Sequence, residues 1–359
     1  MAFRSLRAIC QAMKTLCWTL AIALCAFAAE TGAAEGQAKN EVVKSGSYEL
    51  VLPLGLQADS AYIPEDNPLS AEKVSLGKLL FFDKRLSKDG NISCASCHNP
   101  YHGFADPDPT SAGVGFLTGN RNSPTAINRL FSAEQFWDGR AADLEEQSHG
   151  PLTNPVEMAM ASHDDVVKEV ARLQGYQPLF EKAYGDKKIT MTRIAQAIAS
   201  YERTVLAGNA PYDRYRAGDK SAMSAQQVKG LEIFEGKGNC ATCHVSFNFT
   251  DEMYHNLGVG SDPGRMDLTE KEADRGKFKT PTLRNVTDTA PYMHDGSEAT
   301  LRDVMVLYDR GGNKNPNLDE KMKPLGLSED EIDALVAFMY ALTGPVTNAE
   351  PPAPSEMPK

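Results

Sequence analysis

The feature that constrains this chain most is a pair of short motifs in which two cysteines, three positions apart, are followed directly by histidine. The motifs are Cys94-Ala-Ser-Cys97-His98 and Cys240-Ala-Thr-Cys243-His244. This spacing lets both thiols bond to the vinyl groups of one haem, while the adjacent histidine becomes a ligand of its iron. We therefore expect two covalently bound haem c groups, with His98 and His244 as iron ligands.

Residues 1–28 have the pattern of an export signal. A basic start without acidic residues precedes an apolar run, which ends at the small-residue cleavage site Ala26-Phe27-Ala28. A membrane anchor is the alternative, but the run is shorter than the ~20 residues that a span needs. Lipid attachment at Cys25 is disfavoured because Leu24 is bulky for the preceding position. We expect a periplasmic protein with no membrane span after cleavage.

The positions of the cysteines and the net charge narrow the possible class of protein further. Three of the seven cysteines lie in the signal, and the other four all belong to the two motifs. No cysteine is left for a structural disulfide. A zinc site is the alternative, but it would need both pairs to converge and would leave the two histidines unexplained. The net charge of −11 argues against nucleic acid as a partner, because that requires a basic surface.

The length and an internal repeat predict two domains. Gly77-Lys-Leu-Leu-Phe81 precedes the first motif and Gly230-Leu-Glu-Ile-Phe234 precedes the second. The strand signal is weak, so we expect a mainly α fold of two c-type cytochrome domains packed around a dihaem interface. The predicted divisions are a signal peptide (1–28), a leader (29–63), an N-terminal domain (64–207), a C-terminal domain (208–345) and a disordered tail (346–359).

Capping and periodicity signals in the sequence place several residues on predicted helices. Ser224 with Gln227, and Ser328 with Glu331, have the spacing of capping boxes that start helices. Residues 192–206 form an amphipathic pattern. After the stretch Pro291–Gly296, a further pattern places Leu301, Val304, Met305 and Tyr308 on one helix face. For any one of these four residues taken alone, ordinary core packing is the favoured explanation.

Several stretches together resemble the bacterial dihaem cytochrome c peroxidase/MauG family, across roughly 64–344. Besides the two motifs they are Phe136-Trp-Asp-Gly-Arg140, Glu145-Glu-Gln147, Asn154-Pro-Val-Glu-Met158, Pro281-Thr-Leu-Arg-Asn285 and Pro291-Tyr-Met-His-Asp-Gly296. The resemblance implies that the helix after the last stretch supplies the distal ligand of the second haem. Ordinary peroxidases have methionine there, and the MauG branch has tyrosine. Tyr308 falls at that position, and Met305 is the rival ligand.

The same resemblance implies that the first haem is the one that binds peroxide. Resting peroxidases of the family carry a removable histidine in a loop that matches Gly113-Val114-Gly115, and valine cannot ligate iron. We therefore expect an open iron at the first haem. His102 starts on the proximal side and is a poor substitute ligand. His149 lies inside the expected distal segment and stays as a possible ligand.

Further roles follow from the resemblance alone. Glu157 and Gln147 would assist cleavage of the O–O bond, which needs a proton moved between the two oxygens. Pro151 would shape the pocket, and Trp137 would relay charge between the haems. A calcium ion between the domains would be held by Asn122, Thr289 and Pro291, since a hard cation prefers oxygen ligands.

The resemblance implies a MauG-type enzyme that uses hydrogen peroxide, or oxygen plus electrons, to form a high-valent dihaem state. That state would oxidise a partner protein and mature the tryptophan tryptophylquinone cofactor of methylamine dehydrogenase from its precursor. A small c-type cytochrome or a cupredoxin would donate electrons. The alternatives are a dihaem cytochrome c peroxidase and a dihaem electron carrier. One departure is the segment 235–239, which lacks the surface tryptophan expected before the second motif.

Overall fold

The structure, a computed structural model, describes residues 40–359. The expected signal peptide and the first part of the expected leader lie outside the described residues. Most of the regular structure is helical, as expected, and the strands form only two short antiparallel pairs. Over the described range, none of the helices has both the length and the apolar character needed to cross a membrane.

The secondary structure begins with a hairpin and continues mainly as helices. The strands are β1 Val42–Ser45, β2 Tyr48–Val51, β3 Tyr254–His255 and β4 Phe278–Lys279. The first helices are α1 Ala71–Phe82, α2 Cys94–Cys97, α3 Leu144–Thr153, α4 His163–Arg172, α5 Gln177–Tyr184 and α6 Met191–Glu202. They are followed by α7 Pro211–Arg216, α8 Ala225–Glu235, α9 Met266–Thr269, α10 Leu301–Asp309 and α11 Glu329–Ala341.

The repeated Gly-x-x-x-Phe segments have one structural role in both halves. In the first half α1 packs on α6, and a Cβ on Gly77 would lie 1.7 Å from the carbonyl oxygen of Ala197. In the second half α8 packs on α11, and a Cβ on Gly230 would lie 2.0 Å from the carbonyl oxygen of Ala334. Each glycine thus lets two helix backbones touch beside a haem motif. The buried phenylalanine one turn later anchors each pair in its own hydrophobic core.

The helix starts agree with the sequence signals. Ser224 and Gln227 form a complete capping box at the start of α8, and Ser328 and Glu331 form another at α11. These side chains satisfy backbone N–H groups that have no partner within the helix, which fixes where each helix begins. The two predicted capping boxes are confirmed.

The segment predicted as a leader is ordered from residue 40 onward, which corrects that expectation for 40–63. Strands β1 and β2 form a hairpin around Gly46, whose φ is +57°. Leu50 and Leu52 from this hairpin join a third buried cluster that includes Phe131. The ring of Phe131 meets Phe247 edge-on, with centroids 4.9 Å apart. The hairpin therefore contributes buried apolar area where the two halves of the chain meet.

The tail predicted as disordered is also ordered, and it returns to the first half of the molecule. Thr347 N–H donates to Leu206 O at 2.8 Å, and Asn348 Nδ2 donates to the Thr204 hydroxyl at 2.8 Å. At the end of the chain, Lys359 O accepts a hydrogen bond from the N–H of Gly175 at 3.0 Å. The Pro- and Glu-rich composition favoured disorder, but hydrogen bonds to distant residues hold this segment.

Removal of the tail is expected to destabilise the protein without affecting the haem motifs. Truncation after Pro345 deletes several hydrogen bonds, each contributing about 1 kcal/mol. Because the shortened chain can readjust, we expect the free energy of unfolding to fall by about 2 kcal/mol. Thermal unfolding of the holoprotein followed by circular dichroism measures it. Truncation after Pro354 is the matched control, since it keeps the contacts of Thr347 and Asn348 and should cost less. Equal melting temperatures for all three proteins would refute a stabilising role.

One fully buried ion pair and one largely buried ion pair hold the framework around the site. Arg284 and Asp213 are each 1% exposed and make two hydrogen bonds of 2.9 Å, and Arg284 also donates to the Phe247 carbonyl oxygen. Arg203 of the α6 end forms a two-bonded pair with Glu145 of α3, at 2.6 and 2.8 Å. Because these charges are desolvated, loss of one partner would strand the other. Glu145 and Arg284, both in family-like stretches, thus have structural roles.

Candidate active site

The first haem motif forms part of the wall of an internal cavity, which we call the first cavity. Ser93 caps the single turn of α2, in a capping box with Ser96. Cys94, Cys97 and His98 then face the cavity. The His98 Nδ1 lies 3.2 Å from the carbonyl oxygen of Phe104. With the proton on Nδ1, the lone pair of Nε2 is left for a metal ion.

The second motif repeats this arrangement at another cavity, the second cavity. Cys240 begins a short 3₁₀ helix, Cys240–Thr242, and Cys243 and His244 follow it directly. All three line the second cavity. The His244 Nδ1 lies 2.9 Å from the carbonyl oxygen of Phe249. Burial raises the pKa of the Cys240 thiol to about 12, so this thiol is protonated in the folded chain without haem.

These donor sets fit one haem c in each cavity. The four cysteines of the two motifs are free thiols, and each pair stands beside a histidine whose Nδ1 is already engaged. The two pairs line different cavities, so they cannot form one tetrahedral zinc site. Each haem would be attached through two thioethers and would supply redox chemistry at its iron. The zinc alternative is therefore wrong.

The first cavity also contains the residues expected on its distal side. Gln147 and Pro151 of α3 and Glu157 of the following turn line it together. The Glu157 carboxylate accepts a hydrogen bond of 2.9 Å from Asn154 Nδ2. Burial raises the pKa of Glu157, opposed in part by the positive charge of Arg140. A carboxyl group with a raised pKa keeps its proton to a higher pH than an ordinary glutamate, which suits general acid chemistry.

The other candidate ligands of the first haem do not face the cavity. His149 is absent from the described residues that line it, and the His149 ring packs beside that of His163, with centroids 5.4 Å apart. His102 Nε2 is 2.6 Å from the carbonyl oxygen of Ala290, in the second half of the chain. Val114 donates its backbone N–H to the Glu157 carbonyl oxygen at 2.8 Å, so the loop adjoins the distal wall. His98 is the only histidine among the described lining residues.

Helix α10 presents both rival ligands to the second cavity. Leu301, Val304, Met305 and Tyr308 all line it, as their shared helix face predicts. Met305 is 7% exposed and belongs to the hydrophobic core of this half. Tyr308 is outside that core cluster, and burial raises the pKa of its phenol. A phenolate at Tyr308 would therefore need a nearby cation, such as a ferric iron, to displace the proton.

Trp137 connects the two cavities, because it lines both of them. Its Nε1–H donates to the carbonyl oxygen of Asn122 at 2.8 Å, which fixes the indole. Its own carbonyl oxygen accepts the backbone N–H of Lys279 at 2.8 Å, across the two halves of the chain. The Lys279 side chain also lines both cavities, and burial lowers its pKa to about 7.

The three residues expected at a calcium ion all line the second cavity. Asn122 links the halves of the chain through its backbone N–H, which donates to the His294 carbonyl oxygen at 2.7 Å. The hydroxyl of Thr289 donates to Val286 O at 3.0 Å, which leaves its lone pairs free. Pro291 contributes only a carbonyl oxygen. Oxygen donors are the ligands that calcium prefers, so these groups fit a calcium ion in chemical type.

Sequence reasoning missed two buried charged groups at these cavities. Glu202 lines the first cavity from the end of α6, and Lys279 lines both. Glu202 stands one helical turn after Ile198, on the apolar face of its helix. An acidic residue on an apolar face was therefore the signal available in the sequence. Lys279 carried no local signal, because its burial depends on residues more than a hundred positions earlier.

The fold and the two cavities define a dihaem c-type cytochrome with a carboxyl group in the wall of one of its haem sites. Comparison with known proteins agrees. Residues 71–221 match the family model described as di-haem cytochrome c peroxidase, and residues 227–343 match the cytochrome c model. The chain belongs to the bacterial dihaem cytochrome c peroxidase/MauG family, whose members are haem-dependent oxidoreductases.

Relatives of both branches are similar to this chain. The methylamine utilization protein MauG of Methylorubrum extorquens is 43% identical, over 81% of this chain and 82% of the relative. The cytochrome c551 peroxidase of Nitrosomonas europaea is 40% identical, over 77% and 81%. Among solved structures, a MauG-like protein associated with microbial copper homeostasis matches with a TM-score of 0.75 and 31% identity, over 82% of this chain and 95% of that chain. Sequence similarity alone therefore gives the family and leaves both branches open.

Proposed function

We propose that this protein is a periplasmic MauG-type enzyme, which uses hydrogen peroxide at the first haem and shares the oxidising equivalents with the second. The observation that carries the proposal is that the two cavities, which share Trp137, are lined by different kinds of residue. The first cavity is lined by the Glu157 carboxyl group and has no second histidine among its described lining residues. The second cavity is lined by Tyr308 together with the motif that provides His244.

The residues of the first cavity have separable tasks in this proposal. Glu157 holds the proton that peroxide cleavage moves, and Asn154 fixes one of its carboxylate oxygens. Gln147 orients the bound oxidant by hydrogen bonding, and Pro151 limits the space beside it. The haem supplies the redox chemistry when bound. Trp137 lies in contact with both cavities and provides the aromatic path between them.

The distal ligand of the second haem is what distinguishes the MauG-type proposal from a conventional peroxidase. We assign Tyr308 as its distal ligand and Met305 as a packing residue, because Met305 belongs to the hydrophobic core and Tyr308 does not. An anionic oxygen ligand stabilises oxidised iron, whereas a thioether raises the potential and suits an electron store. A tyrosine-ligated haem would thus share positive charge with the first haem. Calcium held by Asn122, Thr289 and Pro291 would stabilise the junction next to Trp137.

The proposed substrate is the precursor of methylamine dehydrogenase, in which the enzyme would mature the tryptophan tryptophylquinone cofactor. Support comes from the relative named as a methylamine utilization protein. A small c-type cytochrome or cupredoxin would supply electrons. The test incubates the holoprotein with purified precursor and peroxide and follows quinone absorbance. Quinone formation supports the proposal, and no change in the precursor contradicts it.

A conventional dihaem cytochrome c peroxidase is the second candidate. It is favoured by the absence of tryptophan from residues 208–345, where a surface relay to a protein substrate was expected, and by the peroxidase among the relatives. Steady-state assays with peroxide and a reduced small cytochrome distinguish the two. Rapid oxidation of the cytochrome, with no modification of the precursor, would identify the peroxidase.

Replacement of Trp137 with phenylalanine is expected to slow oxidation of the distant protein substrate about tenfold or more, or ~1.4 kcal/mol of barrier. Phenylalanine keeps the packing but is harder to oxidise, and it loses the bond to the Asn122 carbonyl oxygen. Stopped-flow absorbance measures the initial reaction with peroxide and the later oxidation of the substrate separately. The initial reaction serves as the internal control and should keep its rate. An unchanged second step would exclude Trp137 as the path.

A further inference from the structure

Glu202 is a buried carboxyl group that the function proposed above does not use. It stands at the last position of α6 and is 5% exposed. Its Oε2 has no hydrogen-bond partner among the described residues. A buried carboxylate without hydrogen bonds is costly, so such a group adopts the neutral, protonated form. A neutral side chain is unusual for a glutamate, so its presence here needs an explanation.

The surroundings of Glu202 leave its charge uncompensated. The adjacent Arg203 turns its two terminal guanidinium nitrogens to Glu145, at 2.6 and 2.8 Å, and its Nε to the Tyr62 carbonyl oxygen. Arg129 is the other positive group that acts on Glu202, but its Nε is bonded to Gln135 at 3.0 Å. Burial raises the pKa of Glu202 to about 8, with Arg203 and Arg129 lowering it and Glu145 raising it.

The carboxyl group is nevertheless placed at the haem site. Glu202 lines the first cavity together with Gln147 and Glu157. An ionised Glu202 would raise the pKa of Cys94 through its negative charge. The carboxyl group is therefore also close to a cysteine that would bond to the haem. Helix α6 packs on α3, which carries Gln147, and the ion pair between Arg203 and Glu145 fixes these two helices together. The position of Glu202 is therefore rigid.

The reduction of hydrogen peroxide provides a role for the Glu202 carboxyl group. Reduction of hydrogen peroxide breaks the O–O bond and forms two new O–H bonds, so one peroxide takes up two protons and two electrons to give two waters. When bound, the haems would supply the two electrons, and the protein substrate, which is oxidised in the process, or a small redox donor would replace them. Glu157 can hold one proton. We propose that Glu202 is a second proton-holding carboxyl group of the first cavity and supplies the other proton.

This inference rests on peroxide as the oxidant at the first haem, but not on the identity of the protein substrate. Infrared spectroscopy of the diferric holoprotein with ¹³C-labelled glutamate tests the protonation state directly. We expect the carbonyl stretch of a neutral carboxyl group that disappears as the pH is raised from 7 to 9. The band should persist in Glu157→Gln and be missing in Glu202→Gln. Its absence from the wild-type protein at pH 6, or its survival in Glu202→Gln, would overturn the proposal.

The kinetic test uses reduced holoprotein and hydrogen peroxide in a single turnover, with no protein partner present. Glu202→Gln should slow peroxide consumption about 100-fold, at the low end of the effect of a positioned acid. The wild-type rate should fall as the pH rises through about 8, and this limb should be missing in the variant. Glu202→Asp should restore part of the rate. Exposed Glu232→Gln is the control and should match the wild type.

The outcomes separate this inference from the proposed function. If the precursor of methylamine dehydrogenase stays unmodified while Glu202→Gln still shows both effects, the protein-oxidising role fails and the proton-holding role stands. If Glu202→Gln consumes peroxide at the wild-type rate and pH profile, the proton-holding role fails whatever the substrate is. A variant that does not fold leaves the wild-type infrared titration as the deciding measurement.

Discussion

Replacement of Tyr308 with methionine is expected to abolish oxidation of the protein substrate, lowering its rate about 10³-fold or more, which corresponds to ~4 kcal/mol of barrier. Tyr308 lines the second cavity on the same wall as Met305. A thioether in its place would stabilise reduced iron and raise the potential of the second haem, within the ~0.8 V range that axial ligands span. The second haem could then no longer share the oxidising equivalents of the first.

Potentiometric titration and low-temperature EPR measure this change, and Met305→Leu provides the matched control on the same helix. Leucine has a similar volume, so the core around α10 should be preserved at a cost below about 1.5 kcal/mol. We expect the low-spin EPR signal and the potential to change in Tyr308→Met and to stay the same in Met305→Leu. The reverse pattern would assign Met305 as the ligand and favour the peroxidase reading.

Replacement of Glu157 with glutamine is expected to slow the reaction of the first haem with peroxide about 10²- to 10⁴-fold, the range typical of a positioned acid or base. Glutamine keeps the size of the side chain, and its amide oxygen can still accept the bond from Asn154. It cannot give up a proton near neutral pH. The loss should therefore appear in the peroxide reaction, while the spectra of both ferric haems stay close to those of the wild type.

Stopped-flow absorbance at several peroxide concentrations measures the second-order rate constant of this step. Glu181→Gln is a suitable control, because Glu181 is an exposed carboxylate on α5 that pairs only weakly with Lys187. Burial raises the pKa of Glu157, so this group should add a pH dependence above the ordinary glutamate range. That part of the dependence should vanish in Glu157→Gln, while the fall near pH 8 assigned to Glu202 should remain. A wild-type rate in Glu157→Gln would show that another group moves the proton.

Local signals in the sequence predicted the parts of the structure that local chemistry determines. The CxxCH spacing located both haem sites, the capping boxes located the starts of α8 and α11, and the 3.6-residue period placed Tyr308 and Met305 on the cavity side of α10. Each of these depends on residues fewer than eight positions apart. The resemblance to the family brought Gln147, Glu157 and Trp137 to attention, and all three line the first cavity.

What the sequence did not predict depends on distant partners. The ordered tail is held by Thr204 and Leu206, about 140 positions earlier, whereas its own composition favours disorder. The early hairpin is short, and its apolar side is covered by residues near position 130. Lys279 looks like an ordinary surface charge until the fold buries it, and Glu202 is marked only by its place on an apolar helix face. Burial and charge pairing across the chain are tertiary properties, so a local pattern carries little trace of them.

The central claim is that the two haem sites have unlike ligands: the first iron is open, and the second is held by His244 and Tyr308. Low-temperature EPR of the diferric holoprotein, without added ligand, tests it most directly. We predict one high-spin and one low-spin haem in equal amounts, with the low-spin signal altered by Tyr308→Met. Two low-spin haems in the wild-type protein would contradict the claim and would identify a dihaem electron carrier or a resting peroxidase with a closed first site.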